Sequence, residues 1–97
     1  MTAAGDDSLV RLTVHFSGNV QGVGFRYTAL QAARGFKVTG YVRNLPDSRV
    51  ELVAEGAKSE SKALISAIQK VMDGYIRDIK TAESPGTGEF NGFYIRH

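Results

Sequence analysis

The chain has 97 residues, of which 42% are apolar and 23% charged, and its formal net charge at pH 7 is +2. This length supplies a core for one compact domain and excludes two. Because cysteine is absent, disulfides, thiolate zinc sites and cysteine nucleophiles are excluded as well.

The first eight residues are polar and acidic. We interpret residues 1–8 as a disordered leader and residues 9–97 as a single domain, since no linker or repeat divides the rest. The leader lacks the apolar stretch of a signal peptide, and no apolar run approaches the roughly 20 residues that span a bilayer. We therefore expect a cytoplasmic protein with no membrane partner, and we expect a monomer.

Residues 9–36 predict a strand, a glycine-rich loop and a helix. Alternating side chains over residues 9–17 indicate a half-buried strand, whose apolar face comprises Val10, Leu12, Val14 and Phe16. Three glycines among residues 18–24 end this strand and indicate a loop with unusual backbone angles. Apolar residues then recur at helical spacing, and Gly35 is expected to end the helix; they are Phe25, Ala29, Ala32 and Phe36.

Residues 38–44 and 49–56 predict two strands of an antiparallel hairpin. The connection between them is short and contains Pro46 and Asp47, both of which favour turns. A connection of this length joins neighbouring antiparallel strands.

The remaining chain predicts a second helix and two further strands. Ser59 is expected to cap this helix, and Gly74 to end it; its apolar stripe comprises Leu64, Ile65, Ile68, Val71 and Met72. Residues 75–83 and 90–96 are predicted strands, separated by the turn-rich residues 84–88. The element order β-α-β-β-α-β, with one extra strand, predicts an α+β ferredoxin-like sandwich: an antiparallel sheet with two helices on one face.

The loop before the first helix suits a bound phosphate. A glycine-rich turn that leads into a helix directs several backbone N–H groups, and the positive end of the helix dipole, towards one point. Arg26, in the first helical turn, presents a planar guanidinium that matches phosphate oxygens in pairs. Loop glycines more often serve turn geometry alone, so the loop by itself indicates only that an anion can bind.

Two sequence motifs identify a family. The first reads Val20-Gln21-Gly22-Val23-Gly24-Phe25-Arg26, after Ser17-Gly18. The second reads Gly40-Tyr41-Val42-Arg43-Asn44-Leu45-Pro46-Asp47, and Val50-Glu51-Leu52-Val53-Ala54-Glu55-Gly56 continues it. In order and spacing these motifs resemble the two signatures of the acylphosphatase family, and the clear resemblance covers residues 14–56.

The resemblance implies a function and a role for each residue of the site. It implies hydrolysis of an acyl phosphate to a carboxylate and inorganic phosphate, which is then both product and inhibitor. Arg26 and the phosphate cradle match the family's phosphate-binding groups, and Asn44 matches the asparagine that orients the attacking water. The cradle consists of the backbone amides of Gln21, Gly22, Val23, Gly24 and Phe25. No metal or organic cofactor is implied.

The sequence departs from the family pattern at two places, and it contains two histidines that are candidate metal ligands. Ser48 stands where the family often has glycine, so we expect a slightly different hairpin turn, and the segment after the second helix matches the family poorly. His15 and His97 are far apart in sequence and lack neighbouring carboxylates, so we interpret both as surface residues and not as metal ligands.

Two alternative functions stay open at this point. The first is a non-catalytic ferredoxin-like module that binds an anion or nucleic acid. The sequence pI of about 9.1 is compatible with it, but the chain shows no aromatic RNA-binding signature, so we do not expect a nucleic-acid partner. The second is the acylphosphatase-like domain of larger carbamoyl-transfer proteins, against which the lack of zinc-type cysteines argues.

Overall fold

The computed structural model describes residues 8–97, so the proposed leader, residues 1–8, lies outside the described residues except for Ser8. Five strands and two helices follow in the order β1 (Leu9–Gly18), α1 (Phe25–Ala33), β2 (Val38–Asn44), β3 (Val50–Ala57), α2 (Lys58–Val71), β4 (Ile76–Pro85) and β5 (Phe93–Ile95). A single 3₁₀ turn, Asp73–Tyr75, precedes β4. In the part of the chain that the structure describes, no helix is both long and apolar enough to cross a bilayer.

The strands form one sheet in the order β4-β1-β3-β2-β5. β1 lies between β4 and β3 and is antiparallel to both, and β2 is antiparallel to β3. This arrangement confirms the predicted ferredoxin-like order. The extra strand β5 pairs parallel to β2, with Val42 opposite Ile95, so the five-stranded sheet is mixed.

The core lies between the sheet and the two helices. The face of β1 that was predicted to be apolar is buried, with Val14 and Phe16 fully inaccessible. The ring of Phe16 lies 4.9 Å from the ring of Phe25 in α1, centroid to centroid, and Leu64 and Ile68 of α2 complete the cluster. Burying side chains of this size stabilises the fold by about 1.5–3 kcal/mol each, which holds both helices on the same face.

The second helix differs from its prediction at both ends. Because β3 ends at Ala57 and α2 begins at Lys58, no loop residue separates them, and Ser59 lies inside the first turn instead of capping it. At the other end α2 stops at Val71, short of the predicted terminator Gly74, which lies in the 3₁₀ turn. Of the last two residues in the predicted apolar stripe, Met72 is buried, whereas Val71 is 67% exposed. Met72 follows Ile68 by four residues and so stays above the core, while Val71 is rotated towards solvent.

The last two strands also have other bounds than predicted. β4 continues to Pro85, since Pro85 and Ser84 pair with Val10 and Arg11 of β1; proline is tolerated there because β4 is an edge strand. β5 has only three residues. Between them residues 86–92, which we term the crossing loop, run from one edge of the sheet to the other. The loop passes over the sheet face opposite the helices, which we term the outer face.

Candidate active site

The loop between β1 and α1 leaves its backbone amides unused. Gly22 and Gly24 have φ angles of 78° and 76°, in the left-handed region that glycine enters without steric cost. Gly24 occupies the N-cap of α1 in this conformation. Within residues 8–97, the amides of residues 21–25 donate no hydrogen bond to another backbone group. They are therefore available to an anion, at the end of α1 where the helix dipole is positive.

Arg26 is the second residue of α1 and is partly exposed. The first turn of α1 contains no acidic residue, and Arg26 forms no salt bridge with any described residue. Its charge is thus not neutralised by any acidic side chain among residues 8–97.

Asn44 is the last residue of β2, opposite Val50 in β3. The hairpin that follows is closed by two backbone hydrogen bonds, from Leu45 N to Arg49 O at 2.8 Å and from Ser48 N to Leu45 O at 3.2 Å. Residues 45–49 thus connect the two strands, and the turn that Leu45 and Arg49 close has a left-handed residue at its end, Ser48 with φ 78°. The serine adopts the conformation that glycine would occupy with less strain.

The side chain of Gln21 connects the loop to the hairpin. Its Nε2 donates hydrogen bonds to Leu45 O and to Arg49 O, both at 2.9 Å. From the sequence, only the backbone amide of Gln21 was expected to take part in the phosphate site. No local pattern points to the side-chain role, because the acceptors lie 24 and 28 residues away along the chain.

Five of the seven predicted site residues line one cavity of about 180 Å³. From the two motifs, its lining includes Gly22, Gly24, Phe25, Arg26 and Asn44. Gln21 and Val23 are not part of the lining; Val23 packs against the core. No aspartate or glutamate is among the lining residues, so the side chains of the cavity favour an anion.

Four lining residues were not predicted. They are Val20, Tyr27, Ile95 and His97. Val20 is completely buried and Tyr27 is 62% exposed. Ile95 and His97 reach the cavity because β5 pairs with β2, a tertiary contact for which the sequence holds no local signal. His97 is exposed, as expected, but it is also part of this wall.

Charged groups on the outer face bind to one another. Glu55 is 2% exposed and accepts hydrogen bonds from Arg11 Nε at 2.7 Å and from the amides of Thr87 and Gly88 at 3.0 and 2.9 Å. Burial by itself would raise the pKa of Glu55, but these hydrogen bonds outweigh it and hold the pKa below its ordinary value. Glu55 thereby anchors the crossing loop and, through it, β5.

Glu51 forms a second cluster on the same face. It accepts hydrogen bonds from Arg43 Nε at 2.8 Å and Tyr41 Oη at 3.1 Å, and lies 2.9 Å from His15 Nε2. Burial works to raise the pKa of Glu51, whereas the hydrogen bonds from His15, Arg43 and Tyr41 lower it, and the net direction is down. In the described part of the chain no three potential ligands among histidine, aspartate and glutamate converge as a metal site.

Comparison with known proteins gives one consistent result. The acylphosphatase family model matches residues 12–95. An acylphosphatase of Acidothermus cellulolyticus is 40% identical over 87% of this chain and 84% of its own length, and one of Marinobacter nauticus is 44% identical over 84% and 89%. The crystal structure of acylphosphatase from Bacillus subtilis superposes with a TM-score of 0.81 at 32% identity, covering 91% of this chain and 99% of the other.

Proposed function

Since this chain belongs to the acylphosphatase family and hydrolyses acyl phosphates, we propose that Arg26 and Asn44 carry that reaction in the cavity described above. Arg26 and the amides of residues 21–25 bind the phosphate. Asn44 orients the water that attacks it.

The reaction can be catalysed by groups that bind the phosphate and orient the attacking water. The water oxygen attacks phosphorus, the bond from phosphorus to the acyl oxygen breaks, and a carboxylate leaves with the bonding pair. A carboxylate is a good leaving group, so the loose transition state needs charge stabilisation and positioning more than it needs a covalent intermediate. Arg26 and the loop amides stabilise the charge on the phosphoryl oxygens.

Asn44 has no proton to accept or lose at neutral pH, and its amide oxygen accepts a hydrogen bond from water. A phosphate oxygen of the substrate then accepts the proton that the attacking water releases. In this scheme the hydrolysis is assisted by the substrate and requires neither a protein base nor a metal.

One observation carries the assignment of these roles. Arg26 and Asn44 belong to different elements, 18 residues apart in sequence, yet they line one small cavity together with Gly22 and Gly24. Arg26 brings an unneutralised charge and the loop brings unused amides, which is what a phosphate requires.

The test is hydrolysis of benzoyl phosphate and acetyl phosphate in the presence of EDTA. We expect full turnover with EDTA, and competitive inhibition by inorganic phosphate. Activity that disappears with EDTA and returns with a divalent metal would refute the metal-free mechanism. Unchanged phosphate affinity in an Arg26→Ala protein would remove Arg26 from the phosphate site.

Three further predictions concern the whole protein. We propose that residues 9–97 act as one domain, that the protein is a monomer, and that it works in the cytoplasm. The cavity is lined within a single copy of the chain, so the proposed site does not require a second subunit. Sedimentation of the purified protein at several concentrations tests the monomer.

A further inference from the structure

His97 follows β5 closely and lines the same cavity as Asn44. β5 pairs in parallel with β2, with Gly40 opposite Phe93 and Val42 opposite Ile95. The amide of Arg96 extends this pairing by donating to Val42 O at 2.9 Å. Continued to the end of β2, this register sets His97 beside Asn44, and both residues line the cavity.

The charges around His97 are positive or already paired. Arg26 and Tyr27 of α1 are the other titratable side chains of the cavity lining. Next to His97 in the chain, Arg96 stacks its guanidinium 3.7 Å from the ring centre of Tyr41. In β2, Arg43 is bound to Glu51. The lining residues include no aspartate or glutamate, so a proton on His97 adds a positive charge that no acidic side chain of the cavity wall cancels.

We propose that His97 is a second cationic substrate-binding residue of this site, and that its protonated imidazole binds the phosphate dianion of the acyl phosphate. Affinity for a tetrahedral dianion is therefore greater when the imidazole carries its proton than when it is neutral. The inference rests on the proposed function, because it assumes that the phosphate binds between Arg26 and Asn44.

Sulfate is the appropriate probe, since it resembles phosphate in shape and remains a dianion between about pH 5.5 and about pH 8. Inorganic phosphate changes its own charge over the same pH interval. Calorimetric titration at low ionic strength, where charge interactions are least screened, gives the affinity at about pH 5.5 and about pH 8. For the wild-type protein we expect sulfate to bind about two- to five-fold tighter at the lower pH, the effect of one solvent-exposed charge.

Three variants separate His97 from other titrating groups. His97→Gln should show the weaker affinity at both pH values, and His97→Lys the tighter affinity at both. His15→Gln is the matched control, because His15 pairs with Glu51 on the outer face; it should keep the wild-type pH dependence. For acetyl phosphate at about pH 5.5, His97→Gln should raise KM by the same factor with kcat unchanged.

A His97→Gln protein that keeps the wild-type pH dependence for sulfate would overturn the proposal. So would a His97→Lys protein that binds as weakly as His97→Gln at both pH values, since charge would then not be the cause. Failure of the proposed function is seen separately. If Arg26→Ala binds sulfate as the wild-type protein does, the phosphate site itself is misplaced, whatever His97 does.

Discussion

In the described part of the chain, arginines on the outer face are paired with carboxylates, whereas the arginine at the cavity is not. On the outer face, Arg11 lies 2.7 Å from a carboxylate oxygen of Glu55, and Arg43 lies 2.8 Å from one of Glu51. At the cavity, Arg26 has no acidic partner among residues 8–97. The backbone amides follow the same division, since Thr87 and Gly88 donate to Glu55, whereas those of residues 21–25 have no backbone acceptor.

The comparison distinguishes arginines that stabilise the fold from an arginine that is available to a ligand. A paired arginine holds two segments together, and an incoming anion must displace its carboxylate before it can bind. An unpaired arginine beside free amides stabilises little in the folded protein and keeps its binding capacity for a ligand. Substitutions in the cavity should therefore change activity more than stability, and those on the outer face should do the reverse.

The largest expected effect is on activity, from changes to the two proposed catalytic residues. Arg26→Lys and Asn44→Ala should each lower kcat/KM for benzoyl phosphate by at least about 100-fold, the scale for removing one hydrogen-bonding group that acts in the transition state. Lysine keeps the charge but cannot bind two oxygens in one plane. Steady-state kinetics on variants with wild-type circular dichroism gives the result, and a loss of less than about threefold would place the chemistry elsewhere.

The next effect is on stability, at the outer face. Glu55→Gln should lower the free energy of unfolding by about 2 kcal/mol, since it weakens several hydrogen bonds to a buried charge and Arg11 is only partly solvated without it. Glu89→Gln is the control, because its carboxylate also binds Arg11 but is 57% exposed; its effect should be much smaller. Urea denaturation compares the two variants.

Acid should reveal the same interactions in the wild-type protein. The pKa values of Glu51 and Glu55 are lowered in the folded state, so their contribution to stability is complete above the ordinary glutamate pKa of about 4.3 and is lost as the pH falls through the lower folded values. Glu55→Gln should flatten this dependence. An unchanged slope would mean that Glu55 titrates alike in both states, against the contacts described.

A smaller effect on activity is expected from Gln21, whose side chain joins the phosphate-binding loop to the hairpin. Gln21→Ala removes two hydrogen bonds that hold the loop to the hairpin, so the amides and Asn44 should lose their mutual position. We expect kcat/KM to fall by about tenfold, because small displacements of binding groups are costly. Gln31→Ala, on the exposed side of α1, is the control and should leave activity unchanged. Equal activity of the two variants would show that the loop holds its position unaided.

The smallest expected effect is at the turn beside Asn44. Ser48 has φ 78°, and Ser48→Gly should raise the free energy of unfolding by about 0.5–1 kcal/mol, since the relief of left-handed strain exceeds the entropy lost by glycine. Ser48→Val should destabilise the protein, because a β-branched side chain tolerates this conformation poorly. Thermal denaturation measures both, and a Ser48→Gly protein less stable than wild type would contradict the prediction.

Local patterns in the sequence determined most of the first half of the protein. Alternation along β1 placed its two faces, because side chains of a strand alternate regardless of what lies next to them. The strand β2 was predicted with the bounds that it has, Val38–Asn44. Three glycines among residues 18–24 predicted a loop with unusual backbone angles, and Gly22 and Gly24 have φ angles of 78° and 76°. Arg26 lies two residues after Gly24, in the helix.

The tertiary structure determined the features that local sequence patterns could not predict. The ends of α2 and β4 depend on neighbours, since β3 leads straight into α2 and β1 extends the pairing of β4 to Pro85. The hydrogen bonds of Gln21 and the cavity that His97 shares with Asn44 likewise join residues that are distant in the chain. The sequence thus determined which residues could bind phosphate, and the register between strands determined which of them meet, because pairing between distant segments is set by the packing of the whole sheet.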